Sequence, residues 1–266
     1  MTTTNVKIGL EAVDMVFSEP GTGRVTQALA DVTFSVQSGE FVCLLGPSGC
    51  GKSTVLNLIA GFLPPTHGQV QANGAEVVAP GPERGVVFQD ANLFPWLTVW
   101  KNVTYGPRMR GVAKSVYEPR AREQIAQVGL GGFEEHLPLE LSGGMQQRVA
   151  IARVLVNEAD VLLMDEPFGA LDAQTRMIMQ ELVLQLWEGE RKTVLFITHD
   201  IEEAILLADR ILIMSARPGR IKRVVNVELP RPRGYETTTS TAFTELKGEV
   251  LALIREESLQ AVAQGF

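Results

Sequence analysis

The chain has 266 residues, of which 45% are hydrophobic and 21% charged, with a formal charge of −7. Such a length supports a sizeable core, as one large domain or a domain with an appendage, and the composition excludes a generally disordered chain. The acidic balance argues against a surface built to coat nucleic acid. No stretch approaches eighteen uninterrupted apolar residues, so no segment is expected to cross a membrane. Met1-Thr2-Thr3-Thr4 is followed by no charged-then-apolar leader. Cys43 and Cys50 lack metal-ligand spacing and read as reduced thiols of a cytosolic protein.

From Lys7 to Phe17 apolar residues tend to alternate (Ile8, Leu10, Ala12, then Val13, Met15, Phe17), which predicts a half-exposed strand. Phe17 suits an aromatic against an adenine ring and an edge-strand core residue equally. Glu19-Pro20-Gly21-Thr22-Gly23 is a turn, and a second strand follows over residues 29–36. Ser38-Gly39-Glu40 then turns the chain into the apolar run Phe41-Val42-Cys43-Leu44-Leu45. That run feeds Gly46-Pro47-Ser48-Gly49-Cys50-Gly51-Lys52-Ser53-Thr54, and Val55-Leu56-Asn57-Leu58-Ile59-Ala60 leads out as a helix. Strand, glycine loop and helix in this order are the context of a phosphate-binding loop. Glycines let the backbone N–H groups converge on phosphate oxygens, and the helix adds the positive end of its dipole. Lys52 is a mobile charge able to reach the β- and γ-phosphates, and the Ser53 hydroxyl is a hard oxygen suited to Mg²⁺.

Pro64-Pro65-Thr66-His67-Gly68 ends the helical section, and short strands are expected over residues 69–72 and 85–88, the second ending at Gln89. Residues 92–100 concentrate Leu93, Phe94, Pro95, Trp96, Leu97 and Trp100. They are either core for the next layer or an exposed patch for a partner. Helical patterns over 99–110 and 118–128, separated by Gly111, give residues 92–138 the character of an inserted helical subdomain. Leu141-Ser142-Gly143-Gly144-Met145-Gln146-Gln147 opens a helix through residue 156. Ser142 can cap it and the glycines leave its first N–H groups bare, so this is a glycine-hinged helix start or a second anion site.

Val161-Leu162-Leu163-Met164-Asp165-Glu166 is a buried-strand run ending in two acids. As a parallel neighbour of the strand feeding the glycine loop, it would point its carboxyl end at the phosphates. Asp165 would then hold Mg²⁺ through water, and Glu166 would position or deprotonate an attacking water. Leu171-Asp172 precedes a helix over 174–188. A strand over 193–197 ends in Thr198-His199-Asp200, which puts His199 at the edge shared by the loop and the two acids. A helix over 201–208 and strands over 211–214 and 221–229 follow. Arg217, Arg220, Lys222 and Arg223 read as a solvated turn, Pro230-Arg231-Pro232-Arg233-Gly234 as a linker, and residues 243–262 as a terminal helix.

In this order, the loop 46–54, Gln89, Leu141-Ser142-Gly143-Gly144, Asp165-Glu166, Ala170-Leu171-Asp172 and His199 resemble the ATP-binding subunit of ABC transporters across residues 6–230. The Leu141-Ser142-Gly143-Gly144 motif is the most diagnostic, because other phosphate-loop ATPases lack it. The resemblance implies an α/β, P-loop ABC ATPase fold with a RecA-like parallel-sheet core and an N-terminal antiparallel β subdomain. It also implies an inserted helical subdomain, residues 92–138 extending to the signature helix, and a C-terminal linker and helix over 231–266. Residue by residue, it implies that Gly46, Pro47, Ser48, Gly49, Cys50, Gly51, Lys52, Ser53 and Thr54 bind ATP and Phe17 stacks on adenine. Ser53, Gln89 and Asp165 would hold Mg²⁺, with Gln89 also sensing the attacking water. Ser142, Gly143 and Gly144 would bind the γ-phosphate of ATP on the opposite subunit, and Asp172 would lie across the dimer. Glu166 would be the catalytic base and His199 a γ-phosphate contact. Phe17 stands where many relatives have Tyr, and Met145 where Gln is common.

A finer resemblance, to the nitrate/sulfonate/taurine import subfamily, rests on residues 81–89, Leu93-Phe94-Pro95-Trp96, residues 165–172 and His199-Asp200-Ile201-Glu202-Glu203-Ala204. Glu83-Arg84-Gly85 is most similar to taurine-type subunits. The resemblance implies a second ATPase subunit in a homodimer and integral membrane permease subunits seated on the aromatic stretch. A periplasmic or extracellular solute-binding protein is then reached through the complex, with no nucleic acid partner, and the chain lies at the cytoplasmic face of the cell membrane. The alternatives are a nitrate or bicarbonate importer subunit and a soluble ABC ATPase outside transport. Soluble relatives carry long coiled-coil insertions or paired cassettes with a basic linker, and this sequence has neither.

Overall fold

The computed structural model describes residues 5–18, 21, 23 and 25–263. Met1-Thr2-Thr3-Thr4, and Glu19, Pro20 and Thr22 of the expected turn, lie outside the described residues. In chain order the elements are β1 (Val6–Ser18), β2 (Val25–Gln37), β3 (Phe41–Leu45), α1 (Lys52–Ala60), β4 (His67–Ala72), β5 (Ala75–Glu76) and β6 (Arg84–Val87). Then come α2 (Val99–Val103), α3 (Tyr105–Met109), α4 (Lys114–Gln127), α5 (Gly143–Leu155), β7 (Val161–Asp165) and α6 (Ala173–Glu190). The chain closes with β8 (Thr193–Thr198), α7 (Ile201–Leu207), β9 (Arg210–Met214), β10 (Ile221–Asn226) and α8 (Thr241–Ala263). They form two compact units, Met1–Gly81 with Arg191–Phe266, and Pro82–Glu190.

The first unit holds an antiparallel sheet in the order β2-β1-β4-β5. In β1 the apolar alternation changes phase between Leu10 and Val13, and the structure supplies the reason. Ala12 adopts a left-handed φ of 47° and the register against β2 shifts there, a β-bulge that keeps Ile8, Leu10, Val13 and Met15 all buried. The same unit holds β10 antiparallel to β9, β9 parallel to β3, and β3 parallel to β8. Every side chain of β3 and β8 is buried, which is why both read as unbroken apolar runs. Burial on this scale stabilises by about 1.5–3 kcal/mol per large side chain. Both edges of β3 are therefore taken by β8 and β9, which corrects the expectation that β7 is its parallel neighbour.

Within residues 230–234, read as a linker, Arg231 and Arg233 are held against the fold. Arg233 is buried and its guanidinium donates to the carbonyls of Ile205, Ala208, Val227 and Leu229, closing the C-terminal end of α7. Arg231 pairs with Asp209, whose other oxygen accepts from the N–H of Phe41 at the start of β3.

In the second unit β6 and β7 are parallel, with Val87 opposite Met164. A Cβ on Gly85 would stand 2.3 Å from Val154, so α5 approaches β6 as closely as glycine permits. The single helix expected over 99–110 is two short ones. Pro107 has no N–H to give to Val103, and α2 ends at that residue. Helix α4 starts before the expected residue 118 and runs through Pro119, because Tyr117, Ala121, Gln124 and Ile125 bury one face. Tertiary burial overrides the proline there. The α/β class, with a parallel component, an antiparallel β component and a helical section, is as expected.

Candidate active site

The glycine loop leaves the buried end of β3 and enters α1. Gly49 and Gly51 have φ of 74° and 104°, and a Cβ on Gly51 would stand 2.7 Å from Leu29, so the loop curls in a way that side chains would block. Gly51 occupies the N-cap of α1 with no side-chain cap, which leaves the first-turn N–H groups to a ligand. Lys52 is only 6% exposed, and its Nζ donates to the carbonyls of Gly46 and Pro47 at 2.9 and 3.1 Å. Among the described residues it bonds to no carboxylate. A buried cation held only by neutral oxygens suits an incoming polyanion. Ser53 is exposed at the start of α1. Cys50 is buried; burial pushes its thiol pKa up, against the opposing charge of Lys52. Leu45 pairs with Thr198, so Gly46 and the exposed His199 each follow the last matched residue of adjacent parallel strands. Phe17, 41% exposed on β1, is no core residue, which favours the stacking role.

The second unit gathers the acids in the same manner. Val87 pairs with Met164, so Gln89 and Glu166 each lie two residues past the last matched pair, with Asp165 one before. Gln89 Nε2 and Glu166 Oε2 come within 3.6 and 3.8 Å of the point a Cβ on Gly169 would occupy. Glu166 has a φ of 43°, a left-handed backbone rare for glutamate and of the kind found at catalytic sites. Ser142 caps α5, its Oγ accepting from the N–H of Met145 at 3.3 Å. A Cβ on Gly143 would meet nothing within 4 Å, whereas one on Gly144 would meet Thr175 Cγ2 at 2.5 Å. Thr175 Oγ1 donates to Asp172 at 2.6 Å, and Asp172 also accepts from the N–H groups of Gln174 and Thr175. These bonds hold its carboxyl below the usual carboxylate range, the Thr175 hydroxyl first. The unit thus brings Gln89, Asp165 and Glu166 to one place, and joins Gly144 to Asp172 through Thr175.

An ABC transporter family profile matches residues 29–169, just over half of the chain. An uncharacterized ABC transporter ATP-binding protein of Methanocaldococcus jannaschii is 48% identical over 257 residues, 97% of this chain and 94% of that protein. The chain belongs to the ABC transporter family. The taurine import ATP-binding protein TauB of Jannaschia sp. (strain CCS1) is 47% identical over 252 residues, 93% of each chain. A dimeric structure of a bacterial ABC transporter cassette superposes with a TM-score of 0.73 at 34% identity, covering 84% of this chain and all of that one. The same cassette in a post-hydrolysis state with ADP and Pi gives 0.72 at 33% identity, over the same shares of the two chains. No helix among the described residues of this ABC ATPase is long and apolar enough to cross a membrane.

Three residues of this ABC ATPase lay beyond sequence reasoning. Gln147, within the signature helix, donates to Phe88 O at 3.1 Å and ties that helix to the residue before Gln89. Arg153 on the same helix donates to the carbonyls of Ala91 and Asn92, and burial pulls its pKa down. Asn102, fully buried, accepts from the N–H of Phe94 and donates to the carbonyls of Phe94, Leu97 and Thr98. This bracing settles the alternative for the aromatic stretch. Trp96 is 72% exposed and Phe94 packs on Tyr105, ring centroids 4.6 Å apart and tilted by 43°, over a groove of about 460 Å³ that Met109 and Arg110 also line. It is a surface patch rather than core.

Proposed function

We propose that this chain is the ATP-hydrolysing subunit of an importer for taurine or a related alkanesulfonate, working in pairs beneath a membrane permease. The buried Lys52, bonded to loop carbonyls and to no acid, carries the nucleotide assignment. In this reading Gly46 to Thr54 cradle the phosphates, Lys52 neutralises the β- and γ-phosphates, and Phe17 stacks on adenine. Glu166 takes a proton from the water held with Gln89. The water oxygen bonds to the γ-phosphorus, the bridging bond breaks, and His199 contacts the phosphoryl group that leaves with ADP behind it.

The donor set suits Mg²⁺, which keeps waters and takes few hard protein oxygens beside substrate phosphates. Ser53 and Asp165, with Gln89, would hold it, and among the described residues no group of three or more His, Cys, Asp or Glu forms a dedicated metal cage. Bound there, Mg²⁺ would neutralise phosphate charge.

Ser142, the open face of Gly143 and the backbone of Gly144 would meet the γ-phosphate held by a second copy of the chain, with Asp172 beside them. The Trp96 patch would receive the permease, placing the chain on the cytoplasmic side of the membrane, with the solute-binding protein reached through the complex. The 47% identity to a taurine import ATP-binding protein over 93% of both chains supports the solute class. Membranes carrying this chain with its permease and solute-binding protein are expected to take up taurine with ATP. Uptake of nitrate or bicarbonate instead would overturn the solute, and failure to associate with any membrane protein would overturn the transport reading.

A further inference from the structure

Helix α8 carries a carboxylate where its buried seam should be apolar. Phe243, Val250 and Glu257 recur every seven residues along it and all are buried, Glu257 at 0% exposure. A buried carboxylate is tolerated only when hydrogen bonds and a counter-charge meet it. Glu257 Oε2 accepts from the N–H of Ala216 at 3.0 Å, and its Oε1 accepts from Lys222 Nζ. Lys222 also bonds Glu256 at 2.9 Å, and the two acids, Glu257 first, raise its pKa.

The loop so gripped, residues 215–220, reaches the phosphate loop. Arg217, next to Ala216, donates from Nε and Nη2 to Gly49 O at 3.2 and 3.0 Å. Gly219 lies so close that a Cβ there would stand 2.1 Å from Cys50 O. Its own N–H bonds Ala28 O, and its carbonyl accepts from the N–H of Ala30. A trans peptide directs its C=O and N–H oppositely, so holding Gly49 O also sets the Cys50 N–H. That N–H reaches Pro47 O at 3.4 Å, and Pro47 O is a carbonyl that Lys52 Nζ grips. An unbroken chain of bonds thus runs from Glu257 to Lys52. Arg217, expected in a solvated turn, is its middle member, and Lys222, expected in the same turn, bonds its far end at Glu257.

We propose that Glu257 and Arg217 are positioning residues for ATP: α8 holds loop 215–220, and that loop holds the Gly49–Cys50 peptide in its nucleotide-binding shape. Helix α8 lies outside residues 29–169, the span that the family profile matches. Without the brace the loop would have to be ordered on binding, which weakens affinity and leaves the chemical step alone. The inference rests on ATP occupying the Lys52 loop.

The test measures MgATP affinity by calorimetry and steady-state ATPase kinetics on the full chain and its Glu257→Gln, Arg217→Ala, Arg217→Lys and Lys52→Ala variants, and on the Glu257→Gln/Arg217→Ala double variant. Each single loss at Glu257 or Arg217 should raise Kd and KM about three- to tenfold, as for one ordinary hydrogen bond, while kcat stays level. Arg217→Lys should recover part of the affinity. The double variant should be no worse than the poorer single, since both act through one connection. A folded Glu257→Gln protein with unaltered Kd, or effects that multiply in the double variant, would overturn the brace. Arg217→Ala, half-exposed and without a buried charge to strand, carries the test if Glu257→Gln does not fold. Lys52→Ala separates the layers: lost binding there with an unaffected Glu257→Gln refutes the brace alone, and unchanged binding refutes the loop assignment itself.

Discussion

Gly143 and Gly144 are neighbours of the same type, and alanine at each should act in opposite ways. At Gly144 the new methyl would stand 2.5 Å from Thr175 Cγ2, inside the contact distance of two carbons, so α5 and α6 must separate. Overpacking of this kind costs about 1–3 kcal/mol. At roughly 2–4 °C per kcal/mol for a chain of this size, Tm should fall by about 2–12 °C. Thr175 also bonds Asp172, so the start of α6 moves with it. At Gly143 the methyl meets nothing within 4 Å, and alanine gains up to about 1 kcal/mol of helix propensity over glycine. The Gly143→Ala protein should therefore melt at or above the wild-type temperature. Its ATPase rate should nonetheless fall at least tenfold, because a Cβ would occupy space reserved for the phosphate of a second copy. Scanning calorimetry and phosphate-release assays on both variants decide the matter. Full ATPase activity in a stable Gly143→Ala protein would refute the claim that this helix end receives a phosphate.

Glu166→Gln should retain ATP binding and lose about 10²–10⁴ in kcat, the usual yield of a positioned base, and undiminished phosphate release would remove Glu166 from the mechanism. Trp96→Ala should leave basal ATPase intact while solute uptake in membranes drops several-fold; unimpaired uptake would show that the patch does not carry the permease. Arg233→Lys exchanges a fork bonding the carbonyls of Ile205, Ala208, Val227 and Leu229 for a single ammonium. With two carbonyls stranded it should cost about 2 kcal/mol or more, a Tm loss of roughly 4–8 °C, and an unshifted melting curve would contradict the packing role.

The glycine loop, the two acids and the capped glycine helix were legible because each is local: strand, turn and helix signals adjoin within a few residues. Strand order was not. The runs Val161-Leu162-Leu163-Met164 and Thr193-Val194-Leu195-Phe196-Ile197 are equally apolar, and nothing in either says which will lie beside β3. The placement of the exposed candidates was legible as well, since Gln89, Ser142, Asp172 and His199 all sit at element ends where their motifs put them. The charges with distant partners fared worst. Arg217 meets Gly49 from 168 positions away and Glu257 meets Ala216 from 41, so Arg217 read as a solvated turn and nothing singled out Glu257 within the terminal helix. Gly144 has a cause that the sequence did not show: its lack of a side chain is demanded by Thr175, with or without a ligand.

Both thiols of the protein are buried and unbridged, and Cys50 sits inside the glycine loop between β3 and α1. A thiol so enclosed, with its pKa raised by burial, reacts sluggishly with alkylating reagents. Maleimide would therefore label position 50 only in molecules whose loop has momentarily unfurled. The rate of that labelling is a built-in clock for loop opening, readable without adding any probe to the sequence.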